Sequence, residues 1–307
     1  MMTRRKFIGT TLVAGAALTT SGQARPQPAS KRTIVDAQVH LWKANSPDWP
    51  WEQGARPQLP EPFTIERALP MMDEAGVDRV VIVPAGVNDR NDYALEAAKR
   101  YPNRFGVMGR ILLQDPKSAA LLPTWKQQPG MLGVRVTVNT PPTRAWLSDG
   151  TADWFWLAAE KAGLPIMFLA VGEVSRFARI AERHPQLTLI IDHMNLSKEI
   201  AANNTIPRAI EETVALAKYA NVSVKLSSAP TYSSEPYPFR DMTAHLRRCF
   251  DAFGARRCYW GTDMTNSLAK ASYRQRITHF TEELAFLSEE DKDWIMGRAI
   301  LARLAWA

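Results

Sequence analysis

Cysteine is almost missing from this chain. The two present, Cys249 and Cys258, make no CxxC pair and no zinc-type spacing, so thiolate metal centres and dithiol redox motifs are excluded. They fall around a predicted helix end and the strand after it. Buried free thiols are the reading that fits cysteine's packing habit, with a disulfide between them as the other. Glycine-rich phosphate loops are missing too: neither GxGxxG nor GxxxxGKS/T occurs, so the turn that an open doubly wound nucleotide-binding sheet would need is not there. No internal repeat is visible. Charged residues make up only 22% of the chain against 46% hydrophobic residues, which excludes a disordered chain and leaves 307 residues with core enough for one large α/β domain.

A focused basic surface is also lacking. The formal charge of +7 includes Arg4, Arg5 and Lys6, and falls to +4 without residues 1–24. The other basic residues are scattered over predicted helix faces, as with Arg176, Arg179 and Arg183. Nucleic acid is therefore not an expected partner, whereas a small anionic substrate suits the balance.

Residues 1–24 combine a charged start, an apolar run from Phe7 to Leu18 and a polar end. That is the design of an export signal, too short in its apolar part to span a membrane. Thr3-Arg4-Arg5-Lys6-Phe7-Ile8 resembles the twin-arginine signal of bacteria, which implies the twin-arginine export machinery as a partner and a periplasmic or secreted, soluble mature protein. An uncleaved membrane-facing start is the other reading. Residues 25–32 read as a linker, and 33–307 as the folded domain.

That domain opens on Thr33-Ile34-Val35-Asp36-Ala37-Gln38-Val39-His40, where alternation predicts a strand with Asp36, Gln38 and His40 on one side. Leu41 to Phe63 has no steady period and reads as a long first loop. Its Trp42, Trp49 and Trp51 either wall a substrate pocket or form a small satellite core. Helical spacing from Ile65 to Ala75 stops at Gly76, a left-handed cap. Val80–Val83 is a buried strand, and a helix from Tyr93 to Tyr101 follows. A strand–helix rhythm then runs on: Phe105 to Leu113 with a helix from Ala119 to Gln127, Leu132–Val138 with a helix from Asp153 to Ala162, and Pro165–Val171 with a helix from Ser175 to Arg183. It ends in Leu187–His193 with a helix from Ile206 to Tyr219, Val222–Leu226 with a helix from Asp241 to Phe253, and Cys258–Asp263. Two last helices, Tyr273–Leu287 and Glu290–Leu304, complete the chain. Eight short apolar strands with helices between most of them predict a closed (β/α)8 TIM barrel, whose active face lies at the carboxyl ends of its strands.

The polar residues at those ends are Asp36, Gln38, His40, Arg135, Asp192, His193, Asn195, Lys225, Ser227 and Asp263. Several are expensive to bury unless partnered, so their convergence points to a site. His40 suits a ligand, a proton shuttle or a loop anchor. Asp263, paired with His193 or His40, suits a base for water or a loop cap. Arg135 suits carboxylate or oxyanion binding, or an ion pair with Asp36 or Asp192. For Lys225 an aspartate partnership competes with catalysis.

Val35 to Trp42, Gly133-Val134-Arg135, Asp192-His193-Met194, Val224-Lys225-Leu226-Ser227 and Tyr259-Trp260-Gly261-Thr262-Asp263 together resemble the amidohydrolase superfamily. The resemblance extends over most of residues 33–305, including the terminal Asp291–Leu304 segment with Gly297-Arg298-Ala299. It is closer to the amidohydrolase-related branch that contains dicarboxylate-lactone hydrolases, sugar lactonases and some decarboxylases. It implies a barrel enzyme that opens a small carboxylated or sugar-derived lactone with activated water. Asp263 would be the general base, His193 or His40 the relay, and Arg135 the anion ligand. Gln38, Trp42, Trp49, Trp51, Asn195, Lys225 and Ser227 would surround the substrate. Decarboxylation, lactone isomerisation, or binding without turnover on the same barrel are the other classes. The family usually opens with His-x-His, where this chain has Gln38 and then His40, and Pro165 to Ala170 lacks a strand-five histidine. Amide oxygen is a poorer zinc ligand than imidazole. The expectation is therefore of no essential cofactor, with one divalent metal such as zinc, held by His40, His193 and Asp263, as the alternative.

Overall fold

The eight predicted strands are all present and all parallel, in the order β1 to β8 around the sheet. They are β1 Val35–Val39, β2 Arg79–Ile82, β3 Phe105–Gly109, β4 Met131–Thr137, β5 Ile166–Leu169, β6 Leu189–Ile191, β7 Val222–Ser227 and β8 Cys258–Gly261. The computed structural model describes residues 31–307. The export signal expected at 1–24, and all but the last two residues of the expected linker, lie outside the described residues. Arg32, the last residue of that linker, contacts Glu289 at 2.7 Å and Asp293 at 2.8 Å, so the folded unit takes it in. Among the described residues no helix is long and apolar enough to cross a membrane.

The strands read as apolar runs because both of their faces are covered. Val35, Ala37, Val81, Met108, Ile190 and Tyr259 belong to one buried cluster, while Val80, Phe105, Val134, Phe168, Val224 and Trp260 belong to a second that packs beneath the helices. Seven strand pairs carry ladder hydrogen bonds. The seam between β8 and β1 is closed differently. Asp263 N donates to Gln38 O at 2.9 Å. Asp36 Oδ1 accepts from the backbone N–H groups of Thr262 at 2.8 Å and Gln38 at 3.0 Å, and Oδ2 accepts from the hydroxyls of Thr262 at 2.5 Å and Tyr273 at 2.8 Å. A register shift between Asp36 and Val39 breaks the expected alternation. Asp36 therefore serves the seam, while Gln38 and His40 face the cavity.

Other departures have local causes. The predicted strand Leu187–His193 stops at Ile191, because His193, Met194 and Asn195 all take left-handed backbone at φ 52°, 55° and 56°. The predicted helix Ala119–Gln127 is a 3-10 helix, Pro116–Gln127, in which Pro123 lacks a donor. Both terminal helices contain a π turn, His279–Glu283 and Trp294–Arg298. Gly297 sits in the second, and a Cβ there would lie 2.4 Å from Thr33 O. The first turn sets His279 in the core, 1% exposed, with Nε2 unpartnered. Burial pulls its pKa down to about 4.

Two outcomes follow from this arrangement. Asp36→Ala strands two buried N–H groups and two hydroxyls, and lowers unfolding free energy by about 3 kcal/mol or more in urea titrations. An unchanged midpoint would mean that the seam holds without it. His279 has a folded pKa below its ordinary 6.5, so its burial favours folding above pH 6.5 and that share is lost as pH falls towards 4. His279→Phe should flatten the acid limb of stability over that window, measured as thermal midpoint against pH.

Candidate active site

The carboxyl ends of the strands enclose a cavity of about 620 Å3. Gln38 and His40 reach it from β1, Arg135 and Thr137 from β4, His193 from the turn after β6, and Asp263 from the turn after β8. At its floor, His40 Nε2 stands 3.0 Å from Asp263 Oδ1 and His193 Nε2 stands 3.6 Å from Asp263 Oδ2. The Gln38 carboxamide nitrogen lies between the rings, 3.2 Å from His40 Nε2 and 3.1 Å from His193 Nε2. Each histidine is held from behind. His40 Nδ1 donates to Val83 O at 2.8 Å, and His193 Nδ1 meets the Ser227 hydroxyl at 2.7 Å and the Ser228 hydroxyl at 3.1 Å. Ser228 also donates to Asp263 Oδ2 at 3.2 Å.

Below this layer lies a buried charge network. Lys225 is fully buried, with its ammonium 2.6 Å from Asp192 Oδ1, and it donates to the Gln38 carboxamide oxygen. Arg135 Nε lies 2.9 Å from Asp192 Oδ2, while its Nη1 donates to Thr137. Burial works against charge on Asp192, but Lys225 and then Arg135 outweigh it and hold its pKa at about 2. For His193, burial is the largest influence and lowers its pKa to about 4, so the ring is neutral at pH 7. Asp263 is held far below the usual carboxylate range: burial opposes its charge, but the two histidines and Asn266 prevail.

The structure therefore brings Asp263, His193, His40, Arg135 and Gln38 into one cavity. Lys225, Ser227 and Asn195 stand one layer back. Lys225 and Ser227 hold Gln38 and His193, and Asn195 Oδ1 accepts from Ala170 N at 3.3 Å. The pocket-wall reading of the tryptophans is corrected. Trp42 packs on Phe63 at 6.0 Å, Trp49 on Tyr93 at 5.8 Å, and Trp51 Nε1 donates to Lys43 O, so all three pin the first loop outside the cavity wall. That loop reaches the cavity through Gln58, which is bonded to Thr265. The sequence reading passed over Arg110 and Arg144, which both line the cavity. Arg110 directly follows β3, and applying the strand-end rule to all eight strands would have found it. Arg144 lies in the short helix Pro141–Ala145, and no spacing signal marks it. Its Nε is buried without a partner.

With the site in view, comparison with known proteins places the chain in a class. It belongs to the amidohydrolase family, whose model matches residues 35–300, and it is an enzyme of that family. The L-fucono-1,5-lactonase of Burkholderia ambifaria is 24% identical over 231 residues, 75% of this chain and 79% of its own. A zinc-bound amidohydrolase from Burkholderia multivorans superposes with a TM-score of 0.75 at 21% identity, covering 89% of this chain and 99% of its own. A putative 2-pyrone-4,6-dicarboxylic acid hydrolase from Pseudomonas putida gives 0.71 at 17% identity, covering 89% and 98%. Those two structural likenesses are likenesses of fold.

The expectation of no cofactor is corrected, because the Burkholderia multivorans amidohydrolase binds zinc. Among the described residues no three His, Cys, Asp or Glu side chains form a ready metal cluster, since Gln38 stands between the rings and each ring meets a different oxygen of Asp263. The donors nevertheless fit the ion. His40 gives its Nδ1 proton to a carbonyl, which only accepts, and so turns its Nε2 towards Asp263 Oδ1 at 3.0 Å. Two imidazoles with a carboxylate are donor types that zinc takes, and both rings face Asp263, at 3.0 and 3.6 Å.

Proposed function

We propose that the protein hydrolyses a small carboxylated lactone. The observation that carries this reading is the Asp263–His40–His193 group at the floor of a cavity also lined by Arg110, Arg135 and Arg144. A pocket of this volume suits one ring with its substituents. A divalent ion such as zinc, held by His40, His193 and Asp263, would polarise the lactone carbonyl and lower the pKa of water. Asp263 takes the proton of the attacking water as the water oxygen bonds to the carbonyl carbon. When the tetrahedral adduct collapses, the ring C–O bond breaks and the leaving oxygen recovers that proton, giving a hydroxy acid. Neutral His193, steadied by Ser227 and Ser228, keeps Asp263 oriented. Arg144, with its buried and unpartnered Nε, binds the substrate carboxylate beside Arg135. The Thr3-Arg4-Arg5-Lys6-Phe7-Ile8 motif supports twin-arginine export, with the mature enzyme working in the periplasm or outside the cell.

The test is a panel of carboxylated and neutral sugar lactones, with product masses measured. Gain of one water supports hydrolysis; loss of carbon dioxide, or an unchanged mass, selects decarboxylation or isomerisation. Asp263→Asn should lower kcat by about a hundred- to ten-thousandfold, and full activity in that variant would sink the base assignment. Arg144→Met should raise KM for carboxylated lactones about tenfold or more and leave neutral ones unaffected. An equal loss on both substrate types would remove Arg144 from carboxylate recognition.

A further inference from the structure

Gln38 stands among the metal-binding candidates but faces them with its donor end. Its oxygen accepts from the Lys225 ammonium, and its nitrogen lies within 3.2 Å of both imidazole Nε2 atoms. Lys225 Nζ also lies 2.6 Å from Asp192 Oδ1, which holds the lysine in place beneath the carboxamide. The carboxamide is thereby fixed with its oxygen to the lysine. Its NH2 group is left to donate to the same lone pairs that a metal ion would take. The far side of the His40 ring is fixed as well, because its Nδ1 donates to the Val83 carbonyl.

We propose that Lys225 and Gln38 set the metal affinity of this site. Lys225 is a positioning residue: it holds the Gln38 carboxamide with its NH2 towards His40 and His193, so a divalent ion enters by displacing both amide hydrogen bonds. The inference rests on His40, His193 and Asp263 as the holders of the ion. Two substitutions lift the restraint in different ways. Gln38→Leu keeps the bulk near the rings and removes the competing donor. Lys225→Met keeps the length of the side chain and frees the carboxamide to present its oxygen, while Arg135 still pairs Asp192.

The experiment is a zinc titration of metal-stripped protein against a chromogenic chelator, for the wild type, Gln38→Leu, Lys225→Met and Asp263→Asn, with circular dichroism of each. Zinc should bind Gln38→Leu and Lys225→Met about tenfold or more tightly than the wild type, within the range that residues around metal ligands command. Asp263→Asn should bind it more weakly. If Lys225→Met does not fold, Gln38→Leu decides the matter, since it leaves the Lys225–Asp192 pair in place. Weaker binding by Gln38→Leu would make the carboxamide oxygen a ligand and overturn the proposal. So would unchanged affinity in both variants while Asp263→Asn loses zinc, an outcome that leaves the metal assignment standing. No zinc uptake by any of the four overturns the assignment and the proposal together.

Discussion

A buried carboxylate that accepts four hydrogen bonds closes the barrel. Asp36 accepts four hydrogen bonds, from Thr262 N, Gln38 N, the Thr262 hydroxyl and the Tyr273 hydroxyl, at the one seam without ladder pairing. Burial is the largest influence on it and raises its pKa, while these donors pull the other way. The active groups lie on both sides of that seam, Gln38 in β1 and His40 directly after it, and Asp263 beyond β8. The 3.0 Å contact between His40 and Asp263 is thus a consequence of how the seam is tied. A shift of one residue there would turn Gln38 away from the rings.

The barrel divides along its axis into a stable floor and a strained, charged top. The interior floor is apolar, with Val35, Val81, Met108 and Tyr259 packed together. Above it come Lys225, Asp192 and Arg135, whose burial is tolerable because each charge has a partner. Five residues at the strand ends hold left-handed backbone: His193, Met194, Asn195, Ser228 and Asp263. Each such residue costs on the order of 1–3 kcal/mol, which the packing below offsets. Three of them are linked through Ser228, whose hydroxyl meets His193 Nδ1 and donates to Asp263 Oδ2. The strain therefore falls on the residues whose aim matters most.

How much of this was legible in sequence depended on whether the signal was local. Apolar runs such as Val80 to Val83 show strands because both faces of a parallel sheet are buried, and Gly76 shows a helix end because it takes φ 77°. The barrel followed from their count. Strand-end polarity found Gln38, His40, Arg135, His193 and Asp263, which do share a cavity. It misjudged the tryptophans, because an aromatic loop that pins itself and one that walls a pocket have the same composition. It overextended β6 because three consecutive left-handed residues depend on tertiary partners, Thr213 on Met194 O and Asn195 on Ala170 N. The register shift in β1 and the buried Nε of Arg144 likewise exist only once distant segments meet.

The proton inventory of the site shows where its chemistry is concentrated. From the Val83 carbonyl at one end to the Asp192 carboxylate at the other, donors meet acceptors: His40 Nδ1 on Val83, Gln38 nitrogen on both rings, and Lys225 on Gln38 and Asp192. The Asp263 carboxylate is where these bonds converge, with Oδ1 facing His40 Nε2 at 3.0 Å and Oδ2 accepting from Ser228 and Asn266. The buried network beneath fixes the groups around that carboxylate and aims it into the floor of the cavity.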